Sequence, residues 1–314
     1  MSGTSFATAD SAVRRAVSEL SDAGVPSPRR DAVLLLAHCL DVDPGEAERA
    51  VLLRRDLPGP VTARYESLVS ERRRRVPLQH LTGRAPFRHL ELEVGPGVFV
   101  PRPETEAVAG SVVEHLTAAA AEAWTRRPVV VDLCSGSGAI ALAVATEVPC
   151  ADVTAAEISP EAFAWAGRNR DLHAPRVDLR LGDATDPATC ADLQGRVDVV
   201  VSNPPYIPPL AEPVDPEVRD HDPEIALYGR GDDGLDVPRR IVEVAAGLLR
   251  PGGLFVMEHA EVQGATLTRH LADDGRWQDV EGRADHNARP RFVVARRSAQ
   301  LDGPPAGGVG RSHE

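Results

Sequence analysis

Four consecutive residues, Asn203-Pro204-Pro205-Tyr206, carry the most specific chemistry in the chain. They follow an apolar run, Val197–Ser202, that reads as a buried strand, and two prolines cannot continue a central strand, so the backbone must turn here. A planar NH2 group brought to that turn can donate one hydrogen to the Asn203 side-chain oxygen and the other to the Pro204 carbonyl. Tyr206 offers a flat face against which a planar amide or base can lie. Amide and aromatic amino nitrogens are poor nucleophiles because their lone pair is delocalised. Two acceptors holding both hydrogens orient the nitrogen and stabilise the positive charge that develops as it attacks an electrophilic carbon. No His or Glu base stands in the motif, and none is needed, since the proton can leave later.

The electrophile needs a carrier, and a second motif supplies a place for one. Val129–Leu133 runs directly into Cys134-Ser135-Gly136-Ser137-Gly138, followed by an apolar helix over 139–145. Glycines let a cofactor approach the backbone closely, and the helix N-terminus offers free N–H groups. Gly136-x-Gly138-x-x-Ala141 fits the loose dinucleotide fingerprint, and Glu157, 19 residues after Gly138, ends the next strand where a ribose-binding acid belongs. On these residues alone, NAD and S-adenosylmethionine (SAM) are both open. Asp132, at the mouth of the loop, shifts the balance: it would repel a pyrophosphate but tolerate the ammonium of SAM, which has no phosphate. Gly182-Asp183 follows a third strand, where Asp183 can accept from an adenine amino group.

Composition removes several other classes. The 314 residues, 42% hydrophobic, have room for two domains with packed cores. Thirty-five basic against 47 acidic residues give a net charge of −12, the wrong sign for a diffuse nucleic-acid-coating surface. All 35 basic residues are Arg, which excludes lysine Schiff-base chemistry and the phosphate lysine of a P-loop. The four cysteines show no metal-ligand spacing, so no metal is expected, and they read as reduced thiols of a cytoplasmic protein. No apolar run is long enough for a membrane span.

The elements that must position these motifs are legible in outline. Residues 8–75 read as helices, with Val13, Val17 and Leu20 on one face. A helix over 61–75 ends in Arg72, Arg73, Arg74 and Arg75, expected to be a solvated end near a favourable dipole. The alternation over 87–100 predicts a hairpin turning at Gly95-Pro96-Gly97, with a helix beginning near Glu104. From 128 onwards strands at 129–133, 153–157, 177–181, 197–202, 254–258 and 291–295 alternate with helices. Such units imply a mostly parallel sheet with helices on both faces and ligands beyond its carboxyl ends, where all the motifs fall. Residues 299–314 read as a disordered tail.

The order of the glycine loop, Glu157, Gly182-Asp183 and Asn203-Pro204-Pro205-Tyr206 resembles the class I SAM-dependent amino-methyltransferases. More narrowly, it resembles the HemK/PrmC family of protein-glutamine N5-methyltransferases that act on peptide chain release factors. Further segments support this across nearly the whole chain: Pro77-Leu78-Gln79-His80-Leu81-Thr82-Gly83, Val100-Pro101-Arg102-Pro103-Glu104-Thr105-Glu106, Asp222-Pro223-Glu224-Ile225-Ala226-Leu227 and Asp233-Gly234-Leu235-Asp236. The resemblance implies an α/β fold with a Rossmann-like, seven-stranded, mostly parallel sheet. It implies an N-terminal helical substrate-recognition domain at 1–86, a β-hairpin linker at 87–103 and a SAM-dependent methyltransferase domain at 104–298. SAM would contact Cys134, Ser135, Gly136, Ser137, Gly138, Glu157, Asp183, Ala184 and Asn203. The substrate glutamine, from the Gly-Gly-Gln motif of a release factor, would lie on Asn203, Pro204, Pro205 and Tyr206, with Asn203, Pro204 and Tyr206 catalytic. The partner is then a protein, with no direct nucleic-acid contact, no membrane and a monomeric enzyme. Methylation of a ribosomal-protein glutamine, or of adenine N6 in nucleic acid, are the alternatives the same turn would serve.

Departures from the family pattern are chemically mild. Cys134 stands where many members have glycine, a change compatible with a negative φ, and lines the site as a neutral thiol. Glu157 replaces the commoner Asp, and Ala184 stands where some members place an aromatic. Arg102, Glu104 and Glu106 are expected to tie the hairpin to the following helix, and His259 to be a packed or rim histidine.

Overall fold

The computed structural model describes residues 7–120 and 126–299, so residues 300–314 of the expected tail lie outside the described residues. The chain divides into two compact units. The first comprises the described part of Met1–Ala85 with Glu93–Val100 and Glu212–Pro223. Its helices are α1 (Ala9–Asp22), α2 (Pro28–Leu40), α3 (Pro44–Leu52), α4 (Gly59–Arg73) and α5 (Leu78–Thr82). Their starts follow capping chemistry: Thr8 accepts from the Ser11 N–H, Asp43 from the Glu46 N–H, and prolines open α2 and α3. Val13 and Leu20 of α1 pack with Leu35 and Leu36 of α2 and Tyr65 and Val69 of α4.

The arginine run at the end of α4 departs from expectation. Arg73 and Arg74 are exposed, but Arg72 is buried, its Nε 2.8 Å from Asp31 and its Nη1 2.6 Å from Glu217. Arg75 donates from Nε to Glu217 at 2.7 Å. The anion these arginines meet is therefore the protein's own, carried by α2 and by the short helix Pro216–His221. Burial raises the Glu217 pKa, but its arginine hydrogen bonds outweigh it and bring the carboxyl down to about 2.

Hairpin strands β1 (Arg84–Phe87) and β2 (Leu90–Glu93) turn at Arg88-His89, earlier than the glycines of 95–97 suggested. The physical reason is Arg88, at φ +52, whose backbone N–H donates to the Glu106 carboxylate and whose guanidinium pairs with Glu147. Glu106 thus ties hairpin to helix, as expected of it.

The second unit holds α6 (Thr105–Ala120), β3 (Val129–Leu133), α7 (Ala139–Glu147), β4 (Asp152–Glu157), α8 (Pro160–His173), β5 (Asp178–Leu181) and β6 (Val197–Ser202). It continues with α9 (Asp236–Leu248), β7 (Leu249–Glu258), α10 (Gly264–Asp273), β8 (Trp277–Ala284) and β9 (Pro290–Arg297). The seven-stranded sheet has the order β5-β4-β3-β6-β7-β9-β8, parallel from β5 to β7 with β9 antiparallel to both neighbours. That is the class I methyltransferase arrangement. Alternation along each strand feeds two cores: Val130, Val199 and Val256 pack with α6 and α7, while Val131, Val200, Phe255 and Met257 pack on the other face. The unexpected strand is β8, an edge strand whose polar residues are mostly exposed and carry no alternating apolar signal. From β3 the chain winds to β5 in one direction and returns to β6 on the other side, which makes the carboxyl ends of β3 and β6 the switch point. Among the described residues, no helix is long and apolar enough to cross a membrane.

Candidate active site

Strand register brings the motifs level. Leu133 pairs with Ala156 on one side and Ser202 on the other, and Ser202 pairs with Met257. Glu157, Cys134, Asn203 and Glu258 therefore leave four adjacent strands side by side, at the roughly 4.8 Å spacing of a sheet.

The glycine loop is set by its own backbone and by carboxylates beneath and beside it. Cys134 has φ +65, Gly136 φ +57 and Gly138 φ +86. The positive φ at Cys134 contradicts the expectation of a negative one: the loop needs a left-handed residue there, and a non-glycine residue holds it at a cost of about 1 kcal/mol. Burial pushes its thiol pKa up, so it stays a neutral lining group. Ser135 and Ser137 are buried; the Ser137 carbonyl accepts from Asn169 of α8 at 3.0 Å, a support the sequence did not single out. Asp132 lies under the loop and not at its mouth. It is fully buried, accepting on Oδ2 from the Ser135 hydroxyl at 2.9 Å and the Ala141 N–H at 3.1 Å. Burial raises its pKa to about 7.

Glu157 is buried at the end of β4, accepting from the Gly136 N–H at 2.7 Å on one oxygen and the Ser159 N–H at 2.8 Å on the other. Burial raises its pKa, against the pull of these N–H groups. A β-carbon on Gly136 would meet nothing within 4 Å, so the loop is open on that face. These residues fit SAM better than a dinucleotide, because the Gly136 N–H that a pyrophosphate would need is already held by a carboxylate. Asp183 and Ala184 follow β5; Asp183 is exposed with Oδ1 accepting from the Thr185 N–H and hydroxyl, and Ala184 is buried.

On the other side of the switch point, Asn203 follows β6. Its Nδ2 donates to Thr105 Oγ1 at 3.2 Å, and Thr105 Oγ1 donates to Glu258 Oε2 at 2.7 Å. Tyr206 Oη donates to the second oxygen, Oε1, at 3.2 Å. Glu258 and Thr105 are both buried, and burial raises the Glu258 pKa to about 7. Pro204 is buried and Pro205 half-buried. The turn is backed by Gly229 and Gly234, where a β-carbon would collide with the Pro205 and Tyr206 carbonyls. Gln263 locks the same wall, its amide donating to the Tyr206 carbonyl at 2.8 Å and the Asp233 carbonyl at 2.9 Å. His259 is buried with Nδ1 against the Ala260 carbonyl at 2.9 Å, and burial lowers its pKa, so it is a packed neutral imidazole. Thr105 lies in the Pro101–Glu106 segment that supports the family resemblance but nothing in the sequence gives it a role, and Gln263 carries no sequence signal. Among the described residues no cluster of three or more His, Cys, Asp or Glu is placed to hold a metal.

The family model described as the PrmC N-terminal domain matches residues 11–83, and the methyltransferase small domain matches residues 91–214. A release factor glutamine methyltransferase of Streptomyces coelicolor is 50% identical over 287 residues, covering 91% of this chain and 97% of that protein. Its namesake in Mycolicibacterium smegmatis is 47% identical, covering 92% and 98%, and that of Bifidobacterium longum is 44% identical, covering 90% and 97%.

Proposed function

The chain belongs to the release factor glutamine methyltransferase family, and from that premise we propose that it methylates the side-chain N5 of the glutamine in the Gly-Gly-Gln motif of peptide chain release factors. One observation carries the reading: the Asn203–Pro204 turn leaves the sheet beside the glycine loop, on the strand next to it. An amide held on that turn lies against the place where the loop and Glu157 would hold SAM.

When bound, SAM supplies an electrophilic methyl group on a sulfonium. The protein's part is to bind and orient. Cys134 to Gly138 would follow the methionyl part, Glu157 would accept from the ribose hydroxyls, and Asp183 from the adenine amino group. Asn203 Oδ1 and the Pro204 carbonyl accept the two hydrogens of the glutamine NH2, turning its lone pair toward the methyl. They then stabilise the positive charge that grows on nitrogen, which is lost when one N–H proton leaves after transfer, and Tyr206 lies against the amide plane. Preorganised acceptors of this kind act without reorganising during the reaction. Residues 1–86 are proposed to recognise the release factor, with 104–298 carrying out transfer. The −12 charge weighs against the adenine alternative.

The test is peptide mass spectrometry of a release factor incubated with the protein and SAM. One added methyl is expected on the Gly-Gly-Gln glutamine, and none on a factor carrying Asn in its place. A methyl elsewhere, or on a ribosomal protein or adenine alone, would overturn the substrate assignment.

A further inference from the structure

The Asn203 side chain can present either its oxygen or its NH2 to the substrate, since a half-turn about its last bond exchanges them. Only the orientation with Oδ1 outward accepts from a glutamine NH2. The hydrogen bonds behind it decide between the two. Glu258 as a carboxylate has no proton to give, so it takes the single hydroxyl proton of Thr105 at 2.7 Å. Thr105 Oγ1 is then left with lone pairs alone toward Asn203, and Asn203 must turn its NH2 to it, as seen at 3.2 Å. The other Glu258 oxygen consumes the Tyr206 hydroxyl proton in the same way. We propose that Glu258, acting through Thr105, is a positioning residue that fixes the polarity of the Asn203 amide and the pose of Tyr206 for glutamine methylation.

Arg291 on β9 acts on Glu258 by its charge while its ion pair is with Asp285 at 3.4 Å, and Glu104 adds a like charge before α6. Burying a carboxylate on two hydroxyls is costly to the fold. The groups facing Glu258 are thus Thr105 and Glu104 at the start of α6, Tyr206 after β6, and Arg291 on β9. Protonation of Glu258, whose burial brings its titration to about 7, lets its own O–H donate to Thr105. Thr105 can then donate to Asn203, turning Oδ1 inward and removing the acceptor from the site. Activity should therefore fall as pH drops below about 7.

The proposal rests on the Asn203 clamp, and the variants separate the two. Thr105→Val should lower kcat roughly 10- to 100-fold, less than the roughly 10²–10³ of a direct contact. Its SAM Kd should remain within about twofold of wild type. Thr105→Ser keeps the hydroxyl and should restore kcat to within about threefold. Glu258→Gln should abolish the acid limb of the kcat–pH profile. Full kcat in Thr105→Val, a Thr105→Ser loss as large as that of Thr105→Val, or an acid limb retained in Glu258→Gln would each overturn the proposal. If any of these occurs while Asn203→Ala is inactive, only the positioning role fails. An active Asn203→Ala would bring down the clamp itself.

Discussion

The two halves of the carboxyl edge are built in opposite ways. Each contains a buried carboxylate brought to about 7 by burial, Asp132 under the cofactor loop and Glu258 behind the substrate turn. Asp132 is held on Oδ2 by Ser135 and Ala141, three and nine residues away, while its buried Oδ1 has no hydrogen-bond partner among the described residues. Glu258 is satisfied by Tyr206 and Thr105, 52 and 153 residues away. The cofactor loop is thus held from beneath within its own strand–loop–helix segment and from the side by Glu157 and Asn169 of the next strand and helix, while the glutamine half exists only once α6, β6 and β7 have packed together. Binding of SAM and presentation of glutamine should therefore respond to different perturbations.

The largest separable effect is expected at Glu157. Replacing it with Ala removes the proposed ribose acceptor and frees the Gly136 and Ser159 N–H groups. Loss of a charged hydrogen-bond partner worth about 2–3 kcal/mol should raise the SAM Kd roughly 30- to 150-fold by calorimetry. The kcat at saturating SAM should stay within a few-fold. If kcat fell as far as affinity, the two halves would not be separable and the comparison would break. A smaller effect sharpens it from the cofactor side. Cys134→Gly relieves a left-handed cysteine at φ +65, partly offset by the greater freedom of glycine in the unfolded chain. A net gain of up to about 0.5 kcal/mol is expected, seen as a melting temperature raised by about 1 °C. A lowered melting temperature would show that the thiol's packing outweighs the backbone strain.

The same contrast explains what the sequence disclosed. The strand ends carrying Cys134, Glu157, Asp183 and Asn203 were legible because strand, turn and motif are contiguous. The parallel core strands were legible from their apolar runs. Thr105 stands in a legible family segment, but its role is not legible because nothing local marks a threonine whose partner is 153 residues away. Arg72 was read as solvated for the same reason, its partner Asp31 lying 41 residues away. Strand β8 lacked a signal because an edge strand with exposed polar residues has no buried face to pattern it. The hairpin turn was misplaced because glycines at 95–97 outweighed an arginine at 88 whose unusual backbone depends on Glu106 and Glu147.

The central claim is that Asn203 holds the reacting amide while the neighbouring loop holds the cofactor. The most direct measurement is the single-turnover rate of methyl transfer from pre-bound SAM to a release factor, for wild type and Asn203→Ala, with SAM affinity measured on the same samples. The account predicts a rate lowered by roughly 10²–10³ or more with SAM Kd within a few-fold of wild type. A transfer rate within a few-fold of wild type in Asn203→Ala would contradict it.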